Sequence, residues 1–231
     1  MKLIIANLKM NLTLNEVLEY KNNIKEKYSN LIIAPSYIYL NIMKSNNYDI
    51  ASQDGYYIDK GSYTGEVSFN QLKSLGIKYS IIGHSERRRK FNETNDMVKS
   101  KFISAINNNI IPILCIGETK EERLSNKMKD VIEEQLKLFD VVKLDNVIIA
   151  YEPVWAIGTG FTPTLDEINE MHIYIKEILN KYNIKSKILY GGSVNENNIE
   201  NLSKSNNIDG FLIGSASLDS NNLIKMIELC K

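Results

Sequence analysis

Three side chains suited to acid–base and electrostatic chemistry each follow a short apolar run of the sequence. Lys9 follows the run at 3–6, His84 the run at 79–83 and Glu152 the run at 147–151. A lysine is a fixed cation for an anionic substrate, and a partly buried carboxyl group can be a general base because burial raises its pKa. Singly, each has an ordinary alternative: a solvated lysine, an interfacial histidine or an ion-paired glutamate. Together they predict proton transfer on an anionic substrate.

The residues around His84 predict its charge state. Ser85 is the expected N-cap of the helix that follows, with acidic Glu86 in the first turn. A histidine just before a helix feels the positive end of the helix dipole, which disfavours imidazolium. His84 is therefore expected to be a neutral hydrogen-bond donor to a carbonyl or enolate oxygen.

Glu152 is followed at once by a segment with two glycines and several apolar side chains. A glycine-hinged loop that is apolar on one face is typical of a lid that excludes water. The predicted lid consists of Pro153, Val154, Trp155, Ala156, Ile157, Gly158, Thr159 and Gly160.

Small residues follow the last two apolar runs, as Gly191-Gly192-Ser193 and Gly214-Ser215-Ala216. One such cluster is usually a turn. Two of them, after neighbouring strands, allow backbone N–H groups to converge on an anion, and they predict a phosphate site. Asn7 precedes Lys9 by two residues, so the two side chains are expected on the same side of an extended segment.

Two further candidates are interpreted as structural. No histidine adjoins Cys115 in sequence to activate a thiolate, which favours a packing cysteine. His172 lies inside a helical pattern next to core-facing Met171.

Eight apolar runs must position these side chains. Most do not alternate with polar residues, as is typical of strands buried on both faces of a parallel sheet. Helical stripes separate them, most clearly Ile168, Met171, Ile175, Ile178 and Tyr182. This alternation predicts an α/β protein, a (β/α)8 TIM barrel in one domain over residues 1–231, with an open doubly wound sheet as the alternative. The predicted strands are 3–6, 31–34, 49–53, 79–83, 110–116, 147–151, 187–190 and 210–214.

Composition mainly excludes functions. The chain of 231 residues has 28 basic and 28 acidic side chains, so no global field attracts nucleic acid or an anionic membrane. Two cysteines and two histidines exclude a disulfide framework and a histidine-rich metal centre. There is no apolar run of membrane-spanning length and no signal-peptide pattern at the N-terminus. A cytoplasmic location is expected.

Five blocks, at 7–11, 61–66, 83–88, 151–160 and 190–194, resemble the triosephosphate isomerase family in that family's order. The ten-residue block from Tyr151 is the most specific of them. The resemblance implies interconversion of dihydroxyacetone phosphate and D-glyceraldehyde 3-phosphate through an enediolate in glycolysis and gluconeogenesis, with no metal or cofactor. The resemblance also implies a glutamate base beside a neutral, helix-capped histidine, in agreement with the expectation for His84.

The resemblance also assigns roles to residues. Glu152 matches the base, His84 the electrophile and Lys9 the cation beside the substrate. Asn7 lines the site, and Glu86 matches the carboxylate near the lysine. Gly158, Ser193 and Gly214 match backbone contributors to phosphate binding, where Ser215 stands in place of a usual second glycine.

Two further segments bear on the family pattern. The hinge at 161–165 carries Pro163, which is expected to stiffen it. The long loop at 54–68 matches the family's dimer arm, with Thr64 at the tip that reaches the partner's site, so a homodimer is expected. The aromatic content of this loop by itself supports an interface.

Two other functions stay open from the residues. A phosphate-binding aldolase with Lys9 as a Schiff-base nucleophile is the first. A catalytically dead sugar-phosphate-binding module is the second, although Lys9, His84 and Glu152 are all intact.

Overall fold

Eight parallel strands form a closed barrel in which β8 returns to pair with β1. The structure is a computed structural model that describes residues 1–157 and 163–230. Every predicted strand is present with ends within two residues, and the closed order excludes the open sheet. The strands are β1 Leu3–Asn7, β2 Leu31–Ala34, β3 Asp49–Ser52, β4 Tyr79–Ile82, β5 Ile111–Ile116, β6 Asn146–Tyr151, β7 Lys185–Tyr190 and β8 Gly210–Ile213.

Helices follow the strands and are started and ended by local sequence signals. Capping boxes begin several of them, among them those that follow Ser68, Thr119 and Thr164. Asn109 and Asn183 adopt left-handed backbone just beyond two helix ends, where asparagine tolerates a positive φ. The helices are α1 Leu14–Asn23, α2 Leu40–Met43, α3 Phe69–Ser74, α4 Ser85–Lys90, α5 Asn95–Asn107, α6 Lys120–Leu124, α7 Met128–Leu136, α8 Leu165–Lys181, α9 Ile199–Ser203 and α10 Ser220–Leu229. Within the described residues, no helix has the length and apolar character needed to cross a membrane.

The core has two parts because successive strand residues point to opposite faces. One set of apolar side chains fills the barrel interior, among them Ile5, Ile81 and Ile113. The other set packs between the barrel and the helices, which cover the outer face of the strands. His172 is fully buried on α8, where its Nδ1 lies 2.9 Å from the carbonyl oxygen of Asn207. This supports its structural interpretation.

Because all strands run in parallel, their carboxyl ends meet at one end of the barrel. Asn7 ends β1, and His84 and Glu152 lie within two residues of the ends of β4 and β6. The fold therefore gathers the predicted chemistry at one rim.

Candidate active site

His84 is itself the N-cap of α4, so the prediction that Ser85 caps this helix is wrong. The imidazole Nδ1 accepts a hydrogen bond of 3.2 Å from the backbone N–H of Glu86. A nitrogen that accepts a hydrogen bond carries no proton, so this contact assigns the neutral tautomer with the proton on Nε2. The imidazole takes the place that a serine side chain usually fills, and Ser85 becomes the first helical residue.

Glu152 is buried, with 2% of its surface exposed, and its carboxylate meets three partners at the barrel rim. Oε1 lies 3.2 Å from His84 Nε2, and Oε2 accepts a hydrogen bond of 3.0 Å from the backbone N–H of Ser85. The thiol of Cys115 donates a hydrogen bond to the same carboxylate, and burial raises the pKa of this thiol well above its usual range. Cys115 therefore packs beneath the site as a neutral thiol, in keeping with its interpretation as a structural residue.

Two glycines allow the backbone to approach Glu152 closely. A Cβ at residue 117 would lie 1.8 Å from the carbonyl oxygen of Glu152, and a Cβ at residue 191 would lie 2.9 Å from its Cγ. Ordinary contacts begin near 3.4 Å. Residue 117 is thus restricted to glycine by the backbone of Glu152, and residue 191 by its side chain.

Lys9 has a left-handed backbone with φ of 51°, which differs from the extended segment predicted for it. Its carbonyl oxygen accepts hydrogen bonds from Gln53 Nε2 at 2.8 Å and Ser36 Oγ at 3.0 Å, and its N–H donates to Asn7 Oδ1 at 3.1 Å. Left-handed backbone is costly for a lysine and persists where surrounding contacts hold it. These three side chains hold Lys9 at the rim.

The Lys9 ammonium forms an ion pair with Glu86, at 2.8 Å between Nζ and Oε1. Burial raises the pKa of the Glu86 carboxyl group, but the hydrogen bond and the charge of Lys9 outweigh burial, so its net pKa lies below the ordinary value. Glu86 also presents its backbone N–H to His84. One residue therefore contacts both the cation and the histidine.

A cavity of about 480 Å³ opens beside these groups. It is lined by Asn7, Lys9, His84 and Glu152 on one side and by Gly192, Ser193, Gly214 and Ser215 on the other. A volume of this size suits a small-molecule ligand. The structure thus brings together all the predicted substrate-binding residues that it describes.

Local contacts explain the residue types on the phosphate side of the cavity. Ser193 Oγ donates a hydrogen bond of 2.6 Å to the carbonyl oxygen of Ala156, which ties this loop to the start of the predicted lid. A Cβ at residue 214 would lie 3.2 Å from Cε of Lys9. Within the described ranges the non-glycine residues with positive φ do not include Ser215, so the serine causes no backbone strain.

The start of the predicted lid is anchored on Glu118, which is fully buried just beyond β5. Trp155 Nε1 donates a hydrogen bond of 2.9 Å to Glu118 Oε1, and the Tyr151 hydroxyl donates to both carboxylate oxygens at 3.0 and 3.1 Å. Arg123 pairs with the same carboxylate and lies over the Trp155 ring. The structure describes five residues of the predicted lid, Pro153, Val154, Trp155, Ala156 and Ile157. Pro163 of the predicted hinge is buried. Gly158, Thr159, Gly160, Phe161 and Thr162 lie outside the described residues.

The predicted arm leaves the barrel beside a buried cluster of four charges. Lys101, which is 2% exposed, pairs with Asp54 at 2.7 Å and with Glu93 at 2.7 Å. Arg87 of α4 pairs with the same two carboxylates, at 2.8 and 2.9 Å. The cluster fixes the root of the arm to the helix that His84 caps. Thr64, further along the arm, is exposed.

Sequence reasoning missed Gln53, Ser36, Glu118 and Lys101. Glu118, Gln53 and Ser36 had a usable signal, because each lies at or within two residues of the end of an apolar run and so at the same end of the barrel as the site. Lys101 had none, since it lies inside a helix and its partners come from distant parts of the chain.

The barrel and the site define an enzyme of the (β/α)8 class that holds a carboxylate, a neutral imidazole and a lysine around a cavity of small-molecule size. Residues 2–230 match the family model for triosephosphate isomerase. The chain is 44% identical to the triosephosphate isomerase of Malacoplasma penetrans over 99% of this chain and 98% of that protein. It is 41% identical to that of Dictyostelium discoideum (93% and 86%) and 38% identical to that of Aquifex aeolicus (98% and 98%). The chain belongs to the triosephosphate isomerase family and is an isomerase.

Proposed function

We propose that this chain interconverts dihydroxyacetone phosphate and D-glyceraldehyde 3-phosphate, with Glu152 as the base and His84 as the electrophile. Lys9 is the substrate-binding cation, and Glu86 acts beside it. This is the triose phosphate step of glycolysis and gluconeogenesis, and family membership together with the site geometry supports it.

The observation that carries the proposal is the pairing of Glu152 with a histidine whose proton is on Nε2. Proton removal next to a carbonyl group needs a base at carbon and a donor at the oxygen where negative charge develops. Glu152 Oε1 and His84 Nε2 lie 3.2 Å apart at the cavity wall. A substrate that enters between them meets the base and the donor at once.

The carboxylate needs one movement before it can act. Glu152 Oε2 accepts a hydrogen bond from the N–H of Ser85, so this oxygen already has a partner within the protein. The base must give up that bond to reach a substrate carbon. Glu152 is followed directly by the lid segment, so closure of the lid and placement of the base can be one motion.

Two sets of groups are proposed to bind the negative charge of the substrate. The ammonium group of Lys9 lines the cavity, and backbone N–H groups at Ser193, Gly214 and Ser215 are the proposed phosphate donors, with Gly158 as a further one from outside the described residues. Lys9 forms an ion pair with Glu86, in keeping with a role as a substrate-binding cation rather than as a Schiff-base nucleophile.

We also propose a cytoplasmic homodimer in which residues 1–231 form one domain and Thr64 reaches the partner's site. Exposed apolar side chains after the first four strands support such an interface: Met10, Ile38, Tyr63 and Phe91. All four lie at the rim that carries Lys9 and His84. Several exposed apolar side chains on one side of a protein are typical of a protein–protein contact.

A coupled assay of glyceraldehyde 3-phosphate conversion tests the proposal. Glu152→Asp withdraws the carboxylate by about 1 Å, which is expected to lower kcat about 100-fold with little change in KM. Glu19→Asp, the same change on the exposed face of α1, is the control and should leave kcat unchanged.

Three outcomes would contradict the mechanism. Equal turnover of Glu152→Asp and the parent would remove Glu152 from the role of base. Activity that is lost on addition of a chelator would point to a metal-dependent reaction. Trapping of the chain with borohydride and substrate, absent in Lys9→Ala, would favour the aldolase instead.

A further inference from the structure

A second cavity lies at the end of the barrel opposite the active site. Its volume is about 510 Å³, similar to that of the catalytic cavity. It is lined by residues that begin strands, such as Leu3 of β1, Tyr79 of β4 and Ile111 of β5. The amino ends of the parallel strands surround it, and no role proposed above involves them.

The wall of this cavity is largely apolar. Leu3, Ile32, Tyr79, Ile111 and Ile148 line it, and Ile111 is 44% exposed although it is a large aliphatic residue. Barrels of this class usually fill their interior with layers of side chains. Here the layer formed by Ile5, Ile81 and Ile113 is buried, while the layer nearest this end leaves a space open to solvent.

The charged groups that line the cavity are both lysines, Lys185 and Lys187 of β7. They lie four and two residues before Leu189, a buried member of the barrel interior, so strand alternation places them on the inward face. Lys187 is in register with Ile148, which also lines the cavity. Among the described residues neither lysine forms an ion pair, whereas nearby Lys78 is paired with Asp49.

An apolar cup with two unpaired cations on one side is complementary to a particular kind of ligand. We propose that this cavity binds an amphiphilic anion, a carboxylate with an unbranched aliphatic tail. Lysine stems can lie along the apolar wall and keep their charged ends at the edge, where they meet the carboxylate. The tail covers Ile111 and Ile148. An inorganic anion would leave this apolar wall in water, and a neutral hydrocarbon would leave the lysines without a partner.

Calorimetric titration with decanoate tests the inference on the parent protein. Saturating inorganic phosphate is added throughout, so that carboxylate binding beside Lys9 is blocked. Each methylene buried in the cup is expected to raise affinity about fourfold, so decanoate should bind about 15-fold more tightly than octanoate. Decanol, which lacks the charge, should bind more weakly than decanoate.

The double variant K185Q/K187Q removes both charges at exposed positions and is expected to weaken decanoate binding about three- to tenfold. K120Q/K127Q makes the same change at two exposed lysines of the loops beyond β5 and should leave binding unchanged. Ile111→Glu places a negative charge in the cup at an already exposed position and should abolish binding.

The inference is overturned if K185Q/K187Q binds decanoate as tightly as the parent, or if affinity does not depend on tail length. Displacement of decanoate by inorganic phosphate would place it in the active site and also overturn the inference. Isomerase activity is measured on every variant and should equal that of the parent. These outcomes are separate from those that test Glu152.

Discussion

Replacement of Lys101 by methionine should destabilise the protein strongly, because the lysine neutralises two buried carboxylates. Lys101 is 2% exposed, and its ammonium lies 2.7 Å from Asp54 and 2.7 Å from Glu93. Methionine is similar in length and leaves little cavity, so the loss is electrostatic. Arg87 then remains as the single cation beside two buried anions. Removal of one partner from a buried ion pair costs about 3–5 kcal/mol, and we expect this range for Lys101→Met.

The pH dependence separates this explanation from a packing defect. Burial raises the pKa of Asp54, while Lys101 and Arg87 oppose that rise. A carboxyl group with a raised pKa in the folded state lowers stability as pH increases through that pKa, because the unfolded state ionises first. Loss of Lys101 raises the pKa of Asp54 further and enlarges this penalty at neutral pH. The difference in unfolding free energy between variant and parent should therefore become smaller as pH falls through the pKa of Asp54.

Urea unfolding at about pH 7 and at about pH 5 gives the loss of unfolding free energy in the variant and its change with pH. One protein concentration is used throughout, because the stability of an oligomer depends on concentration. Lys204→Met is the matched control, since Lys204 forms an exposed pair with Glu200 at 3.6 Å. Such a pair is worth at most about 1 kcal/mol. A loss in Lys101→Met no larger than in Lys204→Met, or a difference that grows at acid pH, would refute the reasoning.

Three other changes test the site and the arm. Gly117→Ala would place a Cβ 1.8 Å from the carbonyl oxygen of Glu152, so the proposed base must shift by more than about 1 Å and kcat should fall about 100-fold in the coupled assay. Thr64→Glu should convert the proposed dimer to a monomer and depress activity, which sedimentation at several concentrations measures. Lys9→Ala should weaken binding of inorganic phosphate about 10- to 100-fold by calorimetry, because a charge-assisted contact is lost.

Each of these changes has its own control. Full activity of Gly117→Ala would show that the carbonyl oxygen of Glu152 can relax without moving the base. Thr64→Ser keeps the hydroxyl and should stay dimeric, and a dimeric Thr64→Glu would contradict the role of the arm. Lys27→Ala removes an exposed lysine remote from the cavity, and equal phosphate affinity in Lys9→Ala would end the claim of an anion site.

The strands could be predicted from sequence because burial on both faces leaves a local mark. The run at 147–151 is apolar throughout, and the structure has β6 at Asn146–Tyr151. The same property left few strand orders, a closed barrel or an open doubly wound sheet, since parallel strands joined by helices have few arrangements. The structure decided between them. Side chains at the ends of β1, β4 and β6 then had to share a rim.

The sequence did not reveal local backbone conformations or contacts between residues that are distant along the chain. The left-handed φ of Lys9 depends on Gln53 and Ser36, which lie far along the chain. His84 was not predicted as a cap because serine is the stronger capping residue and stood next to it. Lys101 has no local pattern at all, since a buried charge on a helix looks like a solvated one until its partners are known.

The hydrogen bond by which His84 caps α4 links the folding of this helix to the tautomer of the imidazole. The N–H of Glu86 occupies the nitrogen that a second proton would need. The tautomer of the ring is therefore linked to the folding of six residues, Ser85–Lys90. Any substitution that loosens this short helix also frees Nδ1 of His84 and with it the orientation of Nε2 towards Glu152.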